Sequence, residues 1–260
     1  MPAQKTRQAA TRKLQSGHPD ATPFARRLRT MYDHLVECFG PQQWWPAKTP
    51  FEVVIGAYLT QSTAWKSVER SIGNLDARGV LSIDGLRAIP EHDLRDLIRP
   101  SGFMLRKATA LKAFVAFLDA RCGGKMETLR REALDNPHTV REQLLALLSV
   151  GPETADAILL YALDAPAMVV DEYLRRVVVR HGLAPENAKY EAIQSLAEQA
   201  FAPEPAGPPE NPAALARHYN EFHALIVQIG KSHCGRVARC EGCPLQWDPH
   251  KNPAPPGTSA

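Results

Sequence analysis

The residues in this sequence with chemistry to offer fall into three groups. The first lies in Leu148 to Arg176, LSVGPETADAILLYALDAPAMVVDEYLRR, where Asp171 follows an apolar run and stands twenty positions after Gly151. The hairpin Ser149-Val150-Gly151-Pro152 opens a helix from Thr154. A helix start presents N–H donors without intrahelical acceptors at the positive end of its dipole, so it favours an anion. Gly151 allows a tight turn and the close approach of a phosphate. Taken alone, such a Val-Gly-Pro step is equally an ordinary turn between core helices. Asp171 likewise reads as the N-cap of a helix over Glu172 to Val179. Both roles can coexist in one carboxylate.

The second group is aromatic. The tract QQWWPAKTPFEVVIGAYLTQSTAW holds Trp44, Trp45 and Trp65, three of the chain's four tryptophans. Tryptophan is usually core, but two adjacent tryptophans cannot face the same way, so at least one is expected to line a cavity. The third group is metal-ligating: Cys234, Cys240 and Cys243 form C-x5-C-x2-C, preceded by HALIVQIG at 223–230. Clustered thiolates suit an iron–sulfur cluster, and a Cys3His set would suit zinc. Three clustered cysteines among five argue for a metal site in a reducing compartment over a disulfide framework. Cys38 and Cys122 read as buried small apolar residues.

Together these motifs resemble the helix-hairpin-helix DNA glycosylases of the endonuclease III superfamily, and most closely its 3-methyladenine branch. The resemblance covers most of residues 44–180 and includes Arg99-Pro100-Ser101-Gly102-Phe103 and the run ADAIL at 155–159. It implies that Ser149, Val150, Gly151 and Thr154 grip a DNA phosphate, and that Asp171 acts on a nucleotide flipped out of the duplex. It further implies a base sandwich built from Trp44, Trp45, Pro46 and Trp65. Gln61 would fill the gap left by the nucleotide and Phe103 would wedge at the opposite strand, since apolar insertion replaces lost stacking. On their residue types alone, Gln61 is a polar turn residue and Phe103 a core aromatic.

One departure bears on the reaction. Endonuclease III has a lysine at the second position after the hairpin glycine, whose amine forms a Schiff base with the sugar; here that position is Glu153. A carboxylate cannot form an imine, so the resemblance implies a monofunctional glycosylase that uses water. Asp171 would stabilise positive charge on the sugar and orient that water. A base alkylated on a ring nitrogen is already cationic and leaves without a general acid. Stacking on tryptophan suits such a base, at about 1–3 kcal/mol with a cation–π term in addition. The expected substrate is therefore an alkylated purine, 3-methyladenine-like, in double-stranded DNA. The alternatives are an endonuclease III-type glycosylase and lyase for oxidised pyrimidines, recruiting another amine such as Lys107, and a DNA-binding family member with little catalytic activity.

The cysteine cluster resembles the iron–sulfur loop of endonuclease III, with one residue fewer in the first gap. That family has a fourth cysteine after five further residues, and this chain has Pro249 there. The expected cofactor is a [4Fe–4S] cluster on Cys234, Cys240, Cys243 and Asp248, with His250 as the other candidate for the last position. Its role would be structural, pinning a loop that carries Arg236 and Arg239 against DNA phosphates.

The elements that must position these groups read as helices. Phe24–Cys38, Phe51–Leu59, Leu105–Leu118, Val140–Leu148, Ala155–Leu163 and Leu215–Ile229 carry helical apolar periodicity. The runs Met168–Val170 and Val177–Val179 suggest strand, but the first is too short and the second sits on a helix. The expectation is an all-α protein, which the resemblance refines to two helical lobes with a DNA-binding cleft between them. Residues 49–163 would form a helical barrel lobe with the hairpin, and residues 23–48 with 164–248 the other lobe. Residues 1–22 read as a disordered basic arm, 249–260 as a disordered tail, and Pro203–Pro212 as a loop. An apolar content of 44% and a net charge of +3 over 260 residues describe a soluble, mildly basic protein that permits DNA binding. Without a run of eighteen apolar residues or an apolar leader, no membrane span or secretory signal is expected. The setting is then the cytoplasm, at the nucleoid when engaged on DNA, and the protein is expected to be a monomer.

Overall fold

The computed structural model describes residues 22–42, 44–45, 47–202 and 211–250. Pro46, the basic arm up to residue 21, residues 203–210 of the proline-rich loop and the tail from residue 251 lie outside the described residues. Among the described residues the regular structure is helical, and the extended pairing is one isolated bridge between Cys234 and Ala238. No described helix is long and apolar enough to cross a membrane. The chain divides into two compact units, Trp45–Val169 and the flanks Met1–Trp44 with Val170–Ala260.

Helix α1 (Pro23–Phe39) belongs to the first flank. The unit Trp45–Val169 then runs through α2 (Pro50–Thr60), α3 (Trp65–Ala77), α4 (Ile83–Ala88), α5 (Glu91–Leu97) and α6 (Met104–Cys122). It continues through α7 (Met126–Asp135), α8 (Pro137–Leu145) and α9 (Pro152–Ala157). The second flank holds α10 (Glu172–Arg180), α11 (Tyr190–Ala200) and α12 (Pro212–Ser232).

Helix α2 is the centre of its unit. Phe51 to Leu59 are buried on every side, as an all-round apolar helix requires. Thr49 starts it by accepting the Glu52 N–H at 3.1 Å, and the Glu52 carboxylate accepts the Lys48 N–H at 3.1 Å. Around it pack α3, α6 and a π-helical turn, Ile158–Ala162, that continues α9. The single helix expected over Ala155–Leu163 is thus two pieces, because a π turn interrupts the regular ladder.

In the flanking unit, α12 packs on α10 and α1, and α11 packs on α1. Tyr32, Phe201, Tyr219 and Phe222 form an aromatic core with ring centroids 5.0–6.1 Å apart. Gly230 brings α12 directly against α10: a Cβ there would lie 2.2 Å from Tyr173 Cδ1. Because Asp171 caps α10, this close approach also fixes where the aspartate's helix begins. Cys122 is buried as expected, and burial pushes its thiol up. Cys38 is exposed instead: α1 turns its Leu28, Met31, Tyr32 and Leu35 stripe inward and leaves position 38 outside.

Candidate active site

Three loops of the unit Trp45–Val169 are tied together by side chains. Gln61 follows α2, and its Nε2 donates to Ser149 O at 2.7 Å and to Thr154 Oγ1 at 3.0 Å. The hydroxyl of Thr63 donates to Ser101 O at 2.7 Å. Beneath both lies Lys107, only 1% exposed, whose Nζ donates to Leu59 O, Thr63 Oγ1 and Ser101 O at 2.7–2.8 Å. Burial, with Arg106 nearby, lowers its pKa from 10.5 to about 8. The 61–63 turn, the 99–103 turn and the hairpin are thereby one connected network. Lys107 is its anchor.

Backbone strain collects in the same loops. Four described residues other than glycine have positive φ, and three of them are Ser62 (52°), Phe103 (47°) and Ser149 (63°). Such geometry persists only where the surroundings impose it, and it clusters at ligand sites. Phe103 is 61% exposed at the start of α6, with the Arg106 guanidinium 5.7 Å from its ring. It is therefore no core aromatic. In the hairpin the tight turn falls on Ser149, which corrects the expectation for Gly151: that residue has φ −100°, open to any side chain. A Cβ at Gly151 would meet nothing within 4 Å, so the glycine leaves room for something to approach. The N–H of Val150 is spent on Leu147 O at 3.2 Å within the turn, and the Thr154 hydroxyl serves Gln61. An anion here would meet the backbone N–H groups of the first turn of α9, Thr154 contributing through its main chain.

Trp45 and Trp65 come together, with ring centroids 5.2 Å apart at an interplanar angle of 83°. They meet edge to face, so they form a corner and not the two parallel walls of a sandwich. Tyr161, on the π turn, adds a third ring 5.2 Å from Trp45. Trp65 Nε1 donates to Glu69 at 2.9 Å, and the Trp45 ring lies 3.1 Å from where a Cβ on Gly56 would stand. Trp44 belongs to the flanking unit, where Lys231 Nζ lies 5.5 Å from its ring. The chain direction thus parts the adjacent tryptophans, as two successive side chains must part.

Asp171, in the flanking unit, caps α10: its Oδ1 accepts the Leu174 N–H at 2.8 Å. Its Oδ2 lies 3.5 Å from His223 Nε2 on α12, and both side chains are nearly buried. The carboxylate is therefore held at one oxygen by a backbone donor and flanked at the other by an imidazole. His223 sits in the apolar run HALIVQIG, where its type alone did not mark it. Tyr161, inside an apolar run, is likewise unmarked by its type, and Lys107, which the sequence offers only as an alternative amine, is a buried anchor instead.

Cys234, Cys240 and Cys243 line one cavity, together with His181, His233 and His250. The loop is preformed: His233 O accepts the Arg239 N–H at 2.9 Å, and His233 Nδ1 bonds Arg239 O at 3.0 Å. Arg180 Nη1 donates to Cys234 Sγ at 3.1 Å and to Gly235 O at 2.8 Å. Burial raises the Cys243 thiol, and Cys234 and Cys240 add to the rise. Grouped cysteines of this kind give up their protons when a positive centre is there to share. Among the described residues no three His, Cys, Asp or Glu side chains are disposed to hold a single metal ion. The donor set that surrounds the cavity, soft sulfur with imidazole beside it, fits the iron–sulfur group in kind. Asp248 does not line this cavity. It is 2% exposed, takes Arg27 Nε at 3.0 Å and Nη2 at 2.5 Å, and meets His181 Nδ1 at 2.8 Å.

Comparison with known proteins adds to this geometry. The family model for HhH-GPD superfamily base excision DNA repair proteins matches residues 55–203. A Methanocaldococcus jannaschii protein provisionally named a DNA repair glycosylase is 39% identical over 216 residues, 83% of this chain and 92% of its own. The crystal structure of H. pylori 3-methyladenine DNA glycosylase bound to 1,N6-ethenoadenine is similar with a TM-score of 0.65 and 28% identity, covering 81% of this chain and 98% of that one. A trapped endonuclease III–DNA covalent intermediate is similar in fold, with a TM-score of 0.68 at 21% identity, covering 85% and 93%.

Proposed function

The chain belongs to the HhH-GPD superfamily of base excision DNA repair proteins and is a DNA glycosylase; within that family we propose a monofunctional enzyme that removes alkylated purines from double-stranded DNA. The observation that carries the substrate class is the corner of Trp45, Trp65 and Tyr161. Aromatic faces suit a flat cation, and an alkylated purine brings its own positive charge to the pocket. The likeness to a 3-methyladenine glycosylase over 98% of that chain supports the same class.

The disposition of amines supports hydrolysis without lyase chemistry. Glu153 follows the hairpin glycine where endonuclease III has its lysine. Lys107, the other amine considered, is buried and its ammonium is committed to three acceptors. In the proposed reaction the C1′–N bond breaks with both electrons leaving on the base, which neutralises its charge. Asp171 stabilises the positive sugar that remains. Water adds to C1′ and loses a proton by way of the carboxylate. The N-cap bond from Leu174 and the neighbouring His223 hold that carboxylate in one orientation before substrate arrives. Gln61, Phe103 and the first turn of α9 would hold the opened duplex, Phe103 by insertion and α9 by its N–H groups.

The same reading includes a [4Fe–4S] cluster held by Cys234, Cys240 and Cys243. When bound it would cross-link the loop that carries Arg236 and Arg239 and take no part in bond breaking. Borohydride reduction of the protein on an abasic duplex tests the monofunctional assignment. No covalent adduct is expected; an adduct that maps to any lysine would refute it.

A further inference from the structure

We propose that His181 is the fourth protein ligand of the iron–sulfur cluster, oriented for that task by Asp248 and Arg27. The inference rests on the cluster reading above and supplies a ligand where the cysteine motif runs out. His181 closes α10, its N–H bonded to Val177 O, and it lines the same cavity as Cys234, Cys240 and Cys243. Its side chain is 7% exposed, and Nδ1 lies 2.8 Å from Asp248 Oδ2. A carboxylate only accepts, so Nδ1 carries the proton and Nε2 keeps the lone pair. That lone pair is what a metal takes from imidazole.

The carboxylate is itself fixed. Arg27 grips both of its oxygens, and Arg27 Nη2 also donates to His181 O at 3.0 Å. Helix α1 thus holds Asp248, Asp248 holds the imidazole, and the imidazole faces a cavity with three cysteines. Metal-ligating histidines are oriented in this way, their other nitrogen bonded to a carboxylate that fixes the tautomer and raises basicity. The arrangement also explains why Asp248 is unsuited to ligation: its oxygens are already committed to a guanidinium and an imidazole. His250 is the competitor. Its ring lies 5.3 Å from that of His181, and its Nδ1 donates to Asp248 O at 2.7 Å. It is only half-buried, on an irregular loop, whereas His181 ends a packed helix against the buried carboxylate of an ion pair.

The test uses the full chain, reconstituted anaerobically with iron and sulfide, beside His181→Cys, His181→Ala and His250→Ala. Far-ultraviolet circular dichroism checks that each is folded. Wild type should bind iron and sulfide, and after reduction pulsed EPR should detect nitrogen hyperfine coupling that changes when histidine is labelled with 15N. His181→Cys should keep the cluster, lose the nitrogen coupling and lower the reduction potential, since imidazole ligation raises it. His181→Ala should retain iron at least about tenfold less well, while His250→Ala behaves as wild type. Wild type that takes up no cluster overturns the cluster reading and this inference with it. A wild-type cluster whose nitrogen coupling survives in His181→Cys, or is lost in His250→Ala, overturns the ligand assignment and leaves the cluster reading standing.

Discussion

Replacing Lys107 with Met tests whether a buried amine organises the loops proposed to hold DNA. The ammonium is 1% exposed and its pKa is lowered from 10.5 to about 8. The folded chain therefore releases this proton at lower pH than the unfolded chain does. Between pH 8 and 10.5 the unfolded state binds more protons, so stability rises with pH across that window; below pH 8 the full cost of burying the charge is present. The shift corresponds to about 3 kcal/mol. In urea unfolding stepped from pH 7.5 to 10.5, wild type should gain about 3 kcal/mol relative to Lys107→Met, other titrations cancelling between the two. The variant also strands the Leu59 carbonyl, at about 1–3 kcal/mol, while Ser101 O keeps the Thr63 hydroxyl; the relieved desolvation is an offset. Base release should fall as the 61–63 and 99–103 turns loosen. Parallel pH profiles for the two proteins would refute the buried-ammonium account.

Three further perturbations separate folding from function. Gly151→Ala has no steric cost in the folded chain, so it should lower stability by no more than about 1 kcal/mol, yet weaken duplex binding about tenfold or more by fluorescence anisotropy. Phe103→Gly removes an exposed side chain from left-handed backbone and should raise stability by up to about 1 kcal/mol while lowering base release; a loss of stability in thermal melts would contradict the strain argument. Gly230→Ala, a change that within a helix normally stabilises, should here cost about 1–3 kcal/mol, because the new Cβ falls 2.2 Å from Tyr173; chemical denaturation gives the sign directly.

The all-α fold and the family were legible because they rest on local signals. Apolar periodicity marked α1, α2, α6 and α12, and the residues around Asp171 carried both an N-cap and the family's spacing. What escaped depends on contacts between distant segments. Lys107 lies on a helix whose sequence gives no sign of burial, and its acceptors are groups up to 48 residues away, two of them backbone carbonyls. Backbone identity carries no residue-type signature. Glycine drew attention to position 151, but the left-handed residue is Ser149, because the turn closes one step earlier through the Val150 N–H. The Trp44-Trp45 pair suggested a shared pocket, and extended chain between the helices sends them to different partners. His181 and Asp248 stand 67 residues apart, and only the fold brings an imidazole beside the cysteine cavity.

The most direct measurement is base release from methylated duplex DNA by wild type and Asp171→Asn, with free 3-methyladenine and 7-methylguanine separated. Asn caps a helix as well as Asp does, so the variant should melt within about 0.5 kcal/mol of wild type. Wild type should release an alkylated purine, and the variant should bind the same DNA and release at least about a hundredfold less, the scale expected when a key electrostatic group is lost. Full release by Asp171→Asn, or no release of any alkylated base by wild type that binds DNA, would contradict the account.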